Sequence, residues 1–187
     1  MQIDLDGQII AFAGDHNAVA DAAFSALLAN GGREGPDADL LLVSMPLVAD
    51  EAVDVSALLD AVRDEAARMA DGEGGRCIFI VSAAAGMPMR RYPRFSAQMA
   101  TVMAAVRGLA MSHGPKVLVN AVGVGAVGEP VVAGDAAMLS HASIKRPAAI
   151  DEIVDTVLFF ADPLNSYTTG QMLAVDGGWM AGYGRNF

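Results

Sequence analysis

The sequence predicts an α/β fold, a parallel sheet of about five to six strands with helices on both faces. Two observations predict it. Short apolar runs recur without polar alternation, as strands buried on both faces require. Longer segments with helical apolar spacing separate them, so strand and helix alternate along the chain.

Gln8 to Gly14 (QIIAFAG) is an apolar run ending in glycine, and it reads as the first strand. Ala18 to Asn30 has helical spacing, and Gly31 and Gly32 stop it. Arg33 to Asp39 reads as a turn-rich connector, and Leu40 to Ser44 (LLLVS) as a second buried strand. Glu51 to Ala70 predicts a long amphipathic helix, with Val55, Leu58, Leu59, Val62, Ala66 and Met69 on one face. Cys77 to Ser82 (CIFIVS) predicts a third strand. Phe95 to His113 predicts a helix rich in Ala and Met. Val117 to Val122 (VLVNAV) predicts a fourth strand. A Gly- and Ala-rich stretch, Gly123 to Ser143, precedes a helix at Asp151 to Ala161 and a short strand at Met172 to Val175. The order is β-α-β-α-β-α-β-loop-α-β, with no repeat and no linker, so residues 1–187 read as a single domain.

Composition narrows the function classes. The chain has 187 residues, 53% of them hydrophobic, which suits one domain with a sizeable core. Its 22 acidic and 12 basic residues give a net charge of −10. Such a surface repels nucleic acid and anionic membrane, and no basic stripe opposes that reading. No apolar run reaches the length of a membrane span, and Met1 to Asp6 lacks a signal-peptide pattern. A lone Cys77 has no internal disulfide partner and fits a cytoplasmic location. His16, His113 and His141 are widely spaced, so no metal site is expected. Cys77 reads as core, and Asp151 and Glu152 suit the start of a helix, where negative charge is stabilised.

Three blocks carry a family resemblance. "VLVNAVGVGAV" (Val117 to Val127) resembles the VNxxxPGxxxT segment of short-chain dehydrogenases/reductases. "IKRPAAIDEIVDTVLFFADPLNSYTTGQMLAVDGGW" (Ile144 to Trp179) resembles their C-terminal third, with "FFADP", "SYTTGQ" and "VDGG" in family order. "CIFIVSAAAG" (Cys77 to Gly86) resembles their fifth strand and catalytic-serine turn. The chain is thereby similar to 3-oxoacyl-ACP reductase-like members. The resemblance implies a Rossmann-like sheet and, in complete members, hydride transfer with a nicotinamide cofactor. A tyrosine acts there as general acid or base, helped by a lysine four residues later, a serine and an asparagine.

Placed on the family's YxxSK pattern, the long helix puts Phe95 at the tyrosine and Met99 at the lysine. Phenylalanine has no proton to transfer and methionine no charge, and general acid–base catalysis is typically worth ~10²–10⁴-fold. Tyr92 is the nearest tyrosine, but Ser96 lies four residues after it; the only lysines are Lys116 and Lys145. Ser82 matches the family serine with one residue gapped; counted back from Gly86 without a gap, the position is Ala83. No asparagine lies between Asn30 and Asn120. The first strand should lead into TGxxxGxG, whose glycines let backbone approach a pyrophosphate. Gly14 survives there, the later glycines are Ala18 and Ala20, and Asp15 adds negative charge.

The strand at Leu40 follows the first helix almost at once, so about two βα units are absent, on the order of 50 residues. Their loss removes the outer two strands of the nucleotide half and leaves the first strand as an edge. The first helix must then lead back to the neighbouring strand, which leaves open the face it covers. What is kept is what the resemblance implies for assembly: the two long central helices, the last helix and strand, and the aromatic tail Trp179 to Phe187.

The expected function is a catalytically inactive subunit that assembles with an active member of the family, or with itself, and stabilises it or shapes its pocket. No catalytic residue is expected beyond the remnants Ser82, Phe95 and Met99, and no cofactor site beyond the remnant Gly14. Two alternatives stand beside it. A divergent oxidoreductase would use Tyr92 or Ser82. A small-molecule binding module would close the loop Gly128 to Ser143 over an apolar ligand.

Overall fold

The computed structural model describes residues 1–182. A six-stranded, all-parallel sheet runs in the order β2-β1-β3-β4-β5-β6. The strands are β1 (Ile9–Gly14), β2 (Arg33–Glu34), β3 (Leu40–Ser44), β4 (Gly75–Ser82), β5 (Val117–Val124) and β6 (Met172–Val175). The helices are α1 (Ala18–Ala29), α2 (Ser56–Asp71), α3 (Pro93–His113) and α4 (Ile150–Ala161).

Residue alternation in the central strands builds two cores. Leu41, Val43, Cys77, Phe79, Val81, Val119 and Ala121 face α2 and α3. Leu40, Leu42, Ile78, Ile80, Val122 and Val124 face α1 and α4. Both layers are apolar, so the strands show no polar alternation. The first helix thus covers the same face as the last, with Ala23 and Leu27 in one cluster with Val157 and Phe160.

Two expectations are corrected here. The connector Arg33 to Asp39 contains a strand, so β1 is not the edge of the sheet. After Gly31 and Gly32 end α1, Arg33 N–H bonds to Gln8 O at 2.9 Å and Gly35 N–H to Ile10 O at 3.2 Å. α1 therefore leads outward to β2 rather than straight back to β3. Residues 35–39 then carry the chain to the other side of β1, where Asp39 N–H bonds to Ile9 O at 2.8 Å.

The second long helix begins at Ser56, not at Glu51. Asp50 accepts from Ala52 N–H, and Asp54 accepts from both the N–H and the hydroxyl of Ser56. These side chains offer the backbone a turn in place of a helix. The expected apolar face otherwise holds, with Val55, Val62, Ala66 and Met69 buried.

Candidate functional site

The candidate site lies at the carboxyl ends of the strands, where ligands bind in open α/β sheets. β1 ends at Gly14, whose φ of 102° is open to glycine at little cost. A Cβ there would lie 2.1 Å from Ser44 O, so this glycine serves close approach of β1 to β3. Asp15 N–H bonds to the same oxygen at 2.9 Å.

The start of α1 is closed by its own cap. Asn17 Oδ1 accepts from Val19 N–H at 3.1 Å and Ala20 N–H at 3.0 Å, while Nδ2 donates to Ser44 Oγ at 3.0 Å. First-turn amides of this kind are what a pyrophosphate would use. Here a side-chain carbonyl already holds two of them. Asparagine just before an apolar helical run is a recognisable cap, and reading it only as a spacer in the glycine motif overlooks that role.

The loop after β3 is tied to the loop after β5, across the intervening β4. Gly134 N–H bonds to Leu47 O at 3.0 Å. Leu47, Val127 and Ala133 are buried together in the α1 and α4 core. Nothing local in the sequence announces this closure.

The structure places each position singled out in the sequence. Ser82 is 1% exposed, and its hydroxyl accepts from Ala84 N–H at 3.2 Å, capping the 3-10 turn Ala83–Ala85. Phe95 is 1% exposed and Met99 fully buried, both in the α2 and α3 core. Tyr92 caps α3 and is half-buried, with the Arg91 guanidinium 5.4 Å from its ring centroid. Ser96 Oγ donates to Tyr92 O at 2.8 Å and accepts from Met89 N–H at 2.9 Å. The fold therefore places Phe95 and Met99 on α3, with Tyr92 just before its first turn. It holds Gly14 on a separate element, paired to Ser44.

Asn120 has a role the motif comparison missed. Its Nδ2 donates to Thr168 O at 2.7 Å and its Oδ1 accepts from Gln171 N–H at 3.1 Å, which seats β6. Arg76 is likewise structural. Its guanidinium donates to the carbonyls of Phe160, Pro163 and Asn165, and burial lowers its pKa. The "FFADP" block is thus held by β4.

Beyond the strand ends, Ala83, Ala126, Met138, Ala142 and Trp179 form a small third cluster. A cavity of about 390 Å³ opens beside it, lined by Met87, Met89, Met138 and Trp179, with Arg90 and Arg91 also contributing. Asp176 accepts from Gly178 and Met180 N–H, which turns Trp179 inward. Of the expected tail Trp179 to Phe187, residues 183–187 lie outside the described residues.

The remaining titratable groups are placed as follows. Cys77 is buried in β4, and desolvation pushes its thiol up to about 12. Arg146 grips Glu152 through two hydrogen bonds of 2.7 and 2.8 Å, and Ala149 N–H adds a third. These hold the carboxyl down at about 2. His16 bonds to Asp21 at 2.9 Å, His113 ends α3, and His141 follows the 3-10 turn Ala136–Ser140. Among the described residues no group of three or more His, Cys, Asp or Glu is placed to hold a metal. None of their helices is long and apolar enough to cross a membrane.

Residues 47–180 match the family model described as enoyl-(acyl carrier protein) reductase. The trans-4-hydroxycyclohexanecarboxylate dehydrogenase of Sinomonas cyclohexanicum is 34% identical over 110 residues, covering 58% of this chain and 42% of that protein. The glucose 1-dehydrogenase of Gluconobacter oxydans is 36% identical over 100 residues, covering 49% of this chain and 38% of that protein. The matched stretch spans less than half the length of either relative. A short-chain dehydrogenase/reductase from Brucella melitensis overlays with a TM-score of 0.77 at 16% identity, covering 96% of this chain and 99% of that one. The aldohexose dehydrogenase of Thermoplasma acidophilum overlays with a TM-score of 0.75 at 14% identity, covering 98% of each chain. Those two likenesses establish the fold. The family match over most of its length shows that this chain belongs to the short-chain dehydrogenase/reductase family.

Proposed function

We propose that this chain is a non-catalytic subunit of short-chain dehydrogenase/reductase fold, which assembles with an active member of the family or with itself. The observation that carries the reading is the pair Phe95 and Met99. Both are buried and apolar on α3, where the sequence resemblance would put the family's tyrosine and lysine. A proton donor steered by a cation has no substitute there. The reading also takes the capped start of α1 and the Leu47–Gly134 closure as signs that nicotinamide nucleotide is no longer bound. The capped amides at Asn17 and the close approach of Gly14 to Ser44 count against a pyrophosphate seat there.

Two surfaces support assembly. A groove of about 570 Å³ runs between α2 and α3, past Leu59, Ala67, Ala105 and Leu109. Around α4 and the edge strand β6, Phe159, Leu164, Tyr167 and Leu173 are exposed, Leu164 by 90% and Tyr167 by 102%. Apolar side chains this open on neighbouring elements mark a surface that a partner covers. The reading places the chain in the cytoplasm, where a lone buried thiol is at ease.

Native mass spectrometry of the chain from its own host tests the assembly. A homo-oligomer, or co-purification of a full-length family member, is expected; a clean monomer overturns it. Fluorescence quenching of Trp179 by NADH and NADPH tests the lost cofactor site. Micromolar binding with carbonyl reduction by the isolated chain would refute that part.

One observation favours a second reading, a small-molecule binding module. The cavity of about 390 Å³ beside Met138 and Trp179 falls in the range of ligand pockets. Thermal-shift screening with acyl and aromatic ligands separates the two. Stabilisation that Met138→Glu abolishes favours binding, and its absence favours assembly alone.

A further inference from the structure

The sheet edge beside β1 is only partly used. β2 pairs with β1 at two positions, Ile9 with Arg33 and Ile10 with Glu34. Its last ladder bond runs from Gly35 N–H to Ile10 O. Pro36 then has no N–H, Asp37 turns with a φ of 57°, and the chain leaves the edge. β1 continues to Gly14.

The direction of the unused groups follows from alternation. Ile9 O accepts from Asp39, and Asp15 N–H donates to Ser44 O, both on the β3 side. Odd-numbered residues of β1 therefore address β3, and Ile10, Phe12 and Gly14 address the opposite side. Phe12 turns its N–H and C=O to a side where no strand among the described residues runs beyond Glu34.

An open cavity of about 480 Å³ adjoins this stretch, between Phe12 of β1, His16 and Phe24 of the α1 region, and Pro36. The Phe12 ring stacks on His16 at 4.5 Å and meets Phe24 edge-on at 5.9 Å. The rim is acidic. Asp21 and Glu34 line the cavity, and Asp15 and Asp37 are exposed next to it in sequence. Asp21 also bonds to His16 at 2.9 Å, and Arg33 precedes Glu34 on β2.

We propose that this edge docks an extended segment of a partner protein that carries lysine or arginine beside one apolar residue. The backbone groups of Phe12 and Gly14 call for a strand, because only an extended chain continues a ladder. A residue of that strand pointing to the α1 face enters the aromatic cavity. The carboxylates on the rim select basic neighbours and oppose acidic ones. The inference is independent of the assembly surfaces on α2, α3, α4 and β6, so it stands or falls apart from them.

The test uses the full chain and a fluorescein-labelled peptide, Lys-Val-Lys-Phe-Lys-Val-Lys, followed by fluorescence anisotropy. Saturable binding is expected, weakened tenfold or more by Asp21→Asn with Glu34→Lys, and changed less than twofold by Glu73→Lys. Glu73 is exposed in the turn before β4, so its reversal controls for the general negative charge. In the unaltered chain, the peptide is also expected to slow amide exchange at Phe12 and Gly14. No saturable binding, equal binding of the double variant, equal binding of a Glu-Val-Glu-Phe-Glu-Val-Glu peptide, or unchanged exchange at Phe12 each overturns the proposal. A second copy pairing at this edge, seen as a dimer that Glu34→Lys dissociates, overturns it too.

Discussion

Asn17 and Ser44 are joined side chain to side chain, Nδ2 to Oγ at 3.0 Å, and the bond fastens the start of α1 to the end of β3. The same asparagine caps α1 through its oxygen. Asn17→Ala is expected to cost about 1 kcal/mol for the cap. The buried Ser44 hydroxyl also loses a partner, which adds to the loss. Urea unfolding checks this: the midpoint should fall with an unchanged slope. A variant as stable as the parent would show that the cap is incidental.

Placing a tyrosine at Phe95 and a lysine at Met99 is expected to cost stability and create no activity. Met99→Lys places an ammonium at a fully buried site in an apolar cluster. An unpaired buried charge costs on the order of 3 kcal/mol or more. Burial lowers the lysine's pKa in the folded state, so the unfolded chain binds more protons. The deficit is therefore largest at low pH and shrinks as pH rises toward the ordinary lysine value. Melting curves at pH 6 and pH 9 should show that trend. The double variant Phe95→Tyr with Met99→Lys is expected to oxidise no NADPH. Measurable turnover would count against the non-catalytic reading of the fold around α3.

Cys77 should be silent until the chain unfolds. Its thiol is buried and pushed up to about 12, so almost no thiolate exists at pH 8. Ellman's reagent is expected to find no reactive thiol in the folded protein and one per chain in guanidinium. Rapid native reaction would reveal an opening of β4.

The Arg146–Glu152 pair should act only on the acid side. The Glu152 carboxyl is held at about 2, against 4.5 for an ordinary glutamate. A depressed carboxyl contributes stability above its unfolded value, and that contribution fades as pH falls from about 4.5 to about 2. The pair is exposed, so the contribution is small and salt-sensitive. Thermal melts of Glu152→Gln should lack this part of the acid-limb slope and match the parent's slope above pH 5.

Most of the fold was legible because each core strand is an unbroken apolar run and each helix carries its own spacing. What escaped has a common cause. β2 consists of Arg33 and Glu34, two charged residues whose strand geometry comes entirely from the ladder with β1. The closure over β4 joins Leu47 to Gly134, residues far apart in the chain. Neither leaves a local pattern. Glu51 to Val55 was misread for the opposite reason: its composition suits a helix, but Asp50 and Asp54 hold turns. At the candidate site, Phe95 and Met99 were legible from the sequence alone as apolar residues on one helix, and both are buried there. That Ser82 and Asn120 are spent on a cap and on the seating of β6 needed coordinates.

The two-sided greasiness of β3 leaves its phase poorly protected by polarity. Leu40 and Leu42 look one way and Leu41 and Val43 the other, so losing one residue would trade the two sets and still expose no charge to oil. What penalises the slip is fit at the strand's end. Gly14 tolerates the Ser44 carbonyl at a distance no other residue would accept, and a shifted strand would set a different residue against it. One small contact thus works as the ruler that measures out the middle of the molecule.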